Sequence, residues 1–201
     1  MKELVQYLEN LGVLKSKEVI DAFLSVDRKD FVSKEYKDDA YGDYPLPIGF
    51  DQTISQPYTV AFMLELLQAK QGEKVLDVGS GSGWTTALLA HIVGSKGKVY
   101  GTELVSALVS LGKKNIAKYD FSQVEVLQAE KRVLGLPSKV PFDKILVSAA
   151  ARKIPQELLH QLKENGAMVL PVEDAVLRVQ KIPGKDPEIQ RFEGFAFVPL
   201  L

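Results

Sequence analysis

Val75-Leu76-Asp77-Val78-Gly79-Ser80-Gly81-Ser82-Gly83-Trp84 reads as a short apolar strand running straight into three glycines at alternate positions. Glycines in that place let the backbone turn sharply and approach a ligand with no side chain in the way. The spacing argues against two common ligands. A dinucleotide-binding turn wants glycine or alanine where Trp84 stands, because helix and strand pack closely there. A phosphate-cradling loop would end in Gly-Lys-Ser/Thr, and no lysine follows Gly83.

Outward from this loop the pattern alternates between helix and strand. Lys98–Thr102, Val124–Gln128, Lys144–Ser148 and Ala167–Leu170 read as strands. Helices are expected over Trp84–Val93 and Leu104–Lys118, and from Pro155 to a stop at Asn165-Gly166. Ala175–Ile182 and Ile189–Val198 flank Pro183-Gly184-Lys185-Asp186-Pro187 as a strand pair around a loop. The expectation is an α/β fold: a doubly wound, mostly parallel sheet finished by an antiparallel pair. Upstream, Pro57 opens a helix with an apolar face of Val60, Ala61, Met63, Leu64 and Leu67. Before it, the stripes Leu4-Val5-Leu8-Leu11 and Val19-Ile20-Phe23-Leu24 predict two further helices, and two prolines in Tyr44–Gly49 predict an extended connector. The chain thus divides into a helical cap and connector over 1–50 and one compact unit over 51–201.

Composition narrows the chemistry. The 201 residues carry 25 Lys+Arg against 26 Asp+Glu, a formal charge of -1, so a nucleic acid or an anionic membrane surface is a poor partner. There is no cysteine and there are only two histidines, His91 and His160. Disulfides, thiolate metal sites, cysteine nucleophiles and a three-histidine metal centre are excluded. Both histidines sit in helical settings and read as structural. The first ten residues have acids and amides where a signal peptide would be apolar, and no run approaches the roughly 18 apolar residues of a spanning helix. A soluble, cytoplasmic protein is expected.

An acid two residues before Gly-x-Gly-x-Gly resembles motif I of the S-adenosylmethionine-dependent methyltransferases, whose cofactor carries an ammonium and a sulfonium but no phosphate. On that resemblance Asp77, Gly79, Ser80, Gly81 and Gly83 belong to the cofactor site. Glu103, 24 residues beyond Gly79 at the end of the next strand, stands where an acid meets ribose hydroxyls. Ala40-Tyr41-Gly42-Asp43-Tyr44-Pro45-Leu46-Pro47-Ile48-Gly49, then Gln52-Thr53-Ile54-Ser55-Gln56-Pro57-Tyr58-Thr59, are similar to the signature of the protein-L-isoaspartate O-methyltransferases. Pro141-Phe142-Asp143, Leu162–Gly166, Val169–Val172 and Phe197-Val198-Pro199-Leu200 extend the likeness over nearly the whole chain.

The resemblance implies repair of damaged protein: methylation of the free carboxylate of isoaspartyl residues in proteins and peptides, by a monomer. It places Thr53, Ile54, Gln56 and Val198 at the substrate and gives Ser55 a hydroxyl that orients the substrate carboxylate. The other reading of Ser55 is an N-cap for the helix begun by Pro57. An ionised carboxylate meeting an already activated methyl needs no general base, so the scarcity of histidine and cysteine fits. Some positions depart from the family. Where it has Gly-Asp-Gly against adenine, this chain has Ala129-Glu130-Lys131-Arg132: Lys131 stands at the aligned position, and the readings are that Glu130 substitutes after a one-residue shift, that the adenine contact is backbone only, or that this is a solvated turn of mixed charge. Asp51 replaces a glycine beside the substrate stretch, where a carboxylate facing the site would repel a carboxylate substrate and put the substrate class in doubt. Glu173 replaces another glycine and the sequence stops at Leu201, which leads to the expectation of a looser cofactor site. A different acceptor, or cofactor binding without turnover, remain the alternatives.

Overall fold

The computed structural model describes residues 1–200. Its helices are α1 (Lys2–Asn10), α2 (Lys17–Ser25), α3 (Pro57–Leu67), α4 (Trp84–Val93), α5 (Ser106–Ile116) and α6 (Gln156–Gln161). The strands are β1 (Leu46–Gly49), β2 (Gln52–Ile54), β3 (Lys74–Val78), β4 (Lys98–Glu103), β5 (Val124–Gln128), β6 (Phe142–Val147), β7 (Leu162–Val172), β8 (Ala175–Gln180) and β9 (Glu188–Glu193). Seven strands form one sheet in the order β5-β4-β3-β6-β7-β8-β9. The pairs from β5 to β7 are parallel, and β8 and β9 add antiparallel. The expected doubly wound architecture is therefore present. Strand order reverses between β3 and β6, and a crevice at the carboxyl ends of strands at such a reversal is where α/β sheets bind ligands.

Alternate residues of each strand feed opposite faces of the sheet. Val75, Val99, Val126, Leu146 and Val169 face one core, shared with α1 to α5. Leu76, Tyr100, Ile145, Met168 and Leu177 face the other, covered by Leu158 of α6 and by Leu134 and Leu136. Burying a large aliphatic side chain stabilises by about 1.5–3 kcal/mol, so the cap is held by its apolar stripes: Leu4, Leu8, Val19 and Phe23 belong to the first core, together with Leu88 and Leu89 of α4. The expected division after residue 50 falls in the turn between β1 and β2, and residues on both sides of it contribute to that same core.

Four local expectations changed. The connector is a hairpin: β1 pairs antiparallel with β2, with Leu46 opposite Ile54, around a turn in which Phe50 and Asp51 both have φ of 56°. A tight hairpin turn with positive φ at both central residues favours glycine, and here Phe50 and Asp51 adopt it instead. The helix expected to run from Pro155 to Asn165 stops at Gln161. Gln161 turns inward, accepting from the Leu136 amide at 2.7 Å and donating to the Leu134 carbonyl at 2.8 Å, while Leu162 is buried opposite Phe142 of β6. The last strand ends at Glu193, where Gly194 has φ of 93°; the chain then crosses back so that Ala150 donates to the Val198 carbonyl and accepts from the Leu200 amide, both at 2.8 Å. The N-cap of α3 is Gln56 and not Ser55, and the Tyr58 amide is satisfied by Asp43 Oδ1 at 2.8 Å.

Candidate active site

A cavity of about 480 Å³ opens at the strand reversal. Its floor is the loop after β3, from Val78 to Ser82, with Trp84 and Thr85 of α4; its flank is Thr102 to Val105 at the end of β4. Ala129 to Gly135 form another wall, Gln52 to Ser55 and Ile48 form a third, and Val198 to Leu200 close against Ser148 and Ala149. Segments far apart in sequence thus meet because parallel strands deliver their carboxyl ends to one edge.

The loop works by division of labour. Gly79 and Ser80 both donate their amides to the Thr102 carbonyl, at 2.8 and 3.0 Å, which pins the turn to β4. Gly81 donates to Glu103 Oε2 at 2.9 Å, and Glu103 Oε1 accepts from the Val105 amide at 2.9 Å. Glu103 is thereby buried and aimed, and each of its oxygens keeps a further lone pair for a ligand hydroxyl. Gly83 does not line the cavity. Its φ is 94°, and a Cβ there would sit 3.0 Å from Ile116 Cδ1 and 3.3 Å from Gly112 Cα, so glycine serves the close approach of α5.

Asp77 does not line the cavity either. It is fully buried beneath the loop, where Oδ2 accepts from the Thr85 and Thr86 hydroxyls at 2.7 and 2.6 Å and Oδ1 accepts from Ser148 at 3.4 Å. Sequence spacing gave no sign of these three hydroxyls. Burial pushes the carboxyl up from 3.8 to about 6, against the pull of the hydroxyls. A folded-state value above the unfolded one means that the native protein holds the proton longer, so stability from this group is full only below the unfolded value of 3.8 and is lost as pH rises through about 6. Relative to Asp77→Asn, the wild type is expected to lose roughly 2 kcal/mol between pH 4 and pH 7. Urea denaturation of both proteins across that range checks this; parallel curves would contradict it.

The substrate-side residues separate in the same way. Thr53, Ile54 and Ser55 line the cavity, whereas Gln56 turns away, donating to Asp43 Oδ2 at 3.1 Å. Among the described residues the Ser55 hydroxyl makes no hydrogen bond, so it is free for a ligand. Glu130 and Lys131 both line the cavity from an exposed position on its rim. Val198 lines it through the returning C-terminal segment. Asp51 lies at the hairpin tip, exposed and outside the lining. His91 and His160 lie outside it too, and no cluster of three or more metal-ligating side chains is found among the described residues.

These features fit an adenosine cofactor with a charged amino-acid end. Ser80 lines the cavity and its buried Oγ has no hydrogen-bond partner, and the Glu103 oxygens suit a pair of ribose hydroxyls.

The chain's similarities agree with that geometry. The sequence profile of the protein-L-isoaspartate(D-aspartate) O-methyltransferases matches residues 1–201. A protein-L-isoaspartate O-methyltransferase of Pyrobaculum islandicum is 43% identical over 201 residues, covering 98% of this chain and 97% of the relative. One of Methanopyrus kandleri is 40% identical over 204 residues, covering 100% of this chain and 90% of the relative. Among solved structures, a Plasmodium falciparum chain described as belonging to the same class, crystallised with S-adenosyl-L-homocysteine, superposes with a TM-score of 0.87 at 26% identity, covering 100% of this chain and 97% of that one.

Proposed function

The chain belongs to the protein-L-isoaspartate(D-aspartate) O-methyltransferase family, and on that premise we propose how its own residues carry out the transfer. The reaction moves a methyl group from S-adenosyl-L-methionine to the free carboxylate of an isoaspartyl residue in a damaged protein, giving the methyl ester that begins repair. When bound, the cofactor supplies a methyl group already activated by its sulfonium.

The observation that carries the assignment of roles is that the glycine loop, Glu103 and the Thr53–Ser55 segment face one cavity. Ser80 and the loop backbone receive the cofactor's amino-acid end, Glu103 its ribose, and the rim at Ala129 to Lys131 its adenine. Ser55 donates its hydroxyl to the substrate carboxylate, fixing one oxygen and leaving the other to react. Thr53 and Ile54 flank it, and Val198 covers the junction and keeps water out. Gln56 acts from behind the wall through Asp43, and Asp77 holds up the floor. Catalysis of this kind rests on orientation and desolvation, which supply large factors when reacting atoms are held in line. The position of Asp51 at the hairpin tip, outside the lining, removes one of the two reasons for favouring a different acceptor, the other being the Ala129–Arg132 turn, which does line the cavity.

The same reading has the enzyme acting as a monomer in the cytoplasm, on protein chains rather than on nucleic acid or membranes. Its near-balanced charge supports this, because damaged chains come in every charge. No helix of the described residues is long and apolar enough to cross a membrane.

The ionisable side chains lining the cavity are Glu103, Glu130, Glu157, Lys131 and Arg132. The wall carries no histidine or cysteine, the side chains that most often act as a base near neutrality. The expected result is a rate of methyl transfer to an isoaspartyl peptide that is flat from pH 7 to pH 9, measured from initial rates with saturating cofactor. A tenfold rise centred near pH 7.5 would reveal a base that the site does not contain.

A further inference from the structure

Arg28 is the one buried arginine among the described residues, and its surroundings are unusual. It opens a short helical turn, Arg28–Asp30, between α2 and the hairpin. Its guanidinium forms no salt bridge within 4.0 Å among the described residues. Instead it is spread over backbone carbonyls: Nη1 donates to Ala40 at 2.8 Å and Gly42 at 3.2 Å, and Nη2 donates to Tyr44 at 3.0 Å and Ser55 at 3.1 Å. The guanidinium carbon also lies 5.4 Å from the centroid of the Trp84 ring, which itself lines the cavity.

Burying a cation without an ion pair is expensive, and a general role in packing would be served as well by an apolar side chain of similar volume. The partners show what the charge is used for. Ser55 sits between the end of β2 and the first turn of α3, outside both elements, and Arg28 bridges its carbonyl to the segment Ala40–Tyr44. That segment also supplies Asp43, which bonds Gln56 and the Tyr58 amide just after Ser55 in sequence. Arg28 therefore ties together the connector, the Ser55 backbone and the aromatic ring at the head of α4. Burial pulls its value down to about 10, with the field of Asp43 opposing, so the side chain keeps its charge at neutral pH.

We infer that Arg28 is a positioning residue for methyl transfer, holding Ser55 through its carbonyl so that the Ser55 hydroxyl points at the substrate carboxylate. The inference rests on the role assigned to Ser55 above. The planar fork of arginine reaches several carbonyls in fixed directions; a lysine ammonium is a single point charge on a flexible stem and cannot hold all four.

The test compares Arg28→Lys and Arg28→Gln with Val19→Ala, a substitution in the buried side of α2 that loosens the cap away from Ser55. Thermal midpoint, affinity for S-adenosyl-L-homocysteine, and kcat and KM with an isoaspartyl peptide are measured for each. Arg28→Lys is expected to bind S-adenosyl-L-homocysteine within about threefold of wild type while kcat falls by about tenfold or more, the size expected when reacting groups lose their alignment. Val19→Ala is expected to keep wild-type kcat at a comparable loss of thermal midpoint. In a Ser55→Ala background the Arg28→Lys change should add little, because the two act through one hydroxyl. Wild-type kcat in Arg28→Lys beside a crippled Ser55→Ala overturns this inference alone, whereas wild-type turnover in Ser55→Ala overturns the role of Ser55 first. Equal loss of kcat in Val19→Ala, or loss of cofactor affinity in step with rate in both Arg28 variants, also overturns it, since Arg28 would then be supporting the cap as a whole.

Discussion

Ser55→Ala is expected to bind S-adenosyl-L-homocysteine as tightly as wild type and to lose about 10- to 100-fold in kcat/KM for an isoaspartyl peptide, the span of a lost hydrogen bond to a charged group at about 1.5–3 kcal/mol. The Ser55 hydroxyl faces the cavity, makes no hydrogen bond among the described residues, and plays no part in capping α3, whose N-cap is Gln56. Its removal should therefore leave the fold untouched. The cofactor residues lie on other walls, so affinity there should not move. Titration calorimetry and initial rates separate the two quantities. A threefold or smaller change in kcat/KM would assign the orienting of the carboxylate to some other group.

The second large effect is expected at Glu103. Replacement by alanine removes the acceptor of the Gly81 and Val105 amides and the only buried carboxylate among the described residues lining the cavity. Two charge-assisted hydrogen bonds to ribose hydroxyls vanish, and two loop amides lose their partner as well. At roughly 1.5 kcal/mol or more for each bond to a charged group, affinity for S-adenosyl-L-homocysteine should weaken by about 100-fold or more. KM for the cofactor should rise while the enzyme remains folded, because Asp77 and its three hydroxyls brace the loop independently from below. A change below about threefold in calorimetric affinity would show that the Glu103 oxygens do not reach the ribose.

Much of this site can be read from the chain because the information is local. A strand, three glycines and an acid at the end of the next strand specify a crevice whose position follows from the right-handed, alternating topology. What eluded the sequence depends on tertiary geometry. Asp77 carries the motif, yet its side chain points into the core, since residues 75 and 77 share the face opposite to 76 and 78 and hydroxyls from α4 and from the end of β6 wait there. Gly83 belongs to the motif as well, but its lack of a side chain is used by Ile116 of α5, 33 residues on. The extended reading of Tyr44–Gly49 was right about conformation and silent about pairing, because Phe50-Asp51 lacks the glycine that marks a tight hairpin turn. The place of Leu162 in β7 rather than α6 is settled by Gln161, whose partners lie 25 and 27 residues upstream. Arg28 gave no signal at all: a basic residue in Val26-Asp27-Arg28-Lys29-Asp30 reads as solvated surface until four carbonyls are seen around it.

The central claim is that this cavity methylates the displaced carboxylate of isoaspartyl residues. The direct measurement incubates the enzyme with methyl-labelled S-adenosylmethionine and either an isoaspartyl peptide or its normal aspartyl twin, then releases base-labile label. Label is expected on the isoaspartyl peptide and background on the twin. Equal labelling of both peptides, or none on either under conditions where S-adenosyl-L-homocysteine binds, would contradict the claim.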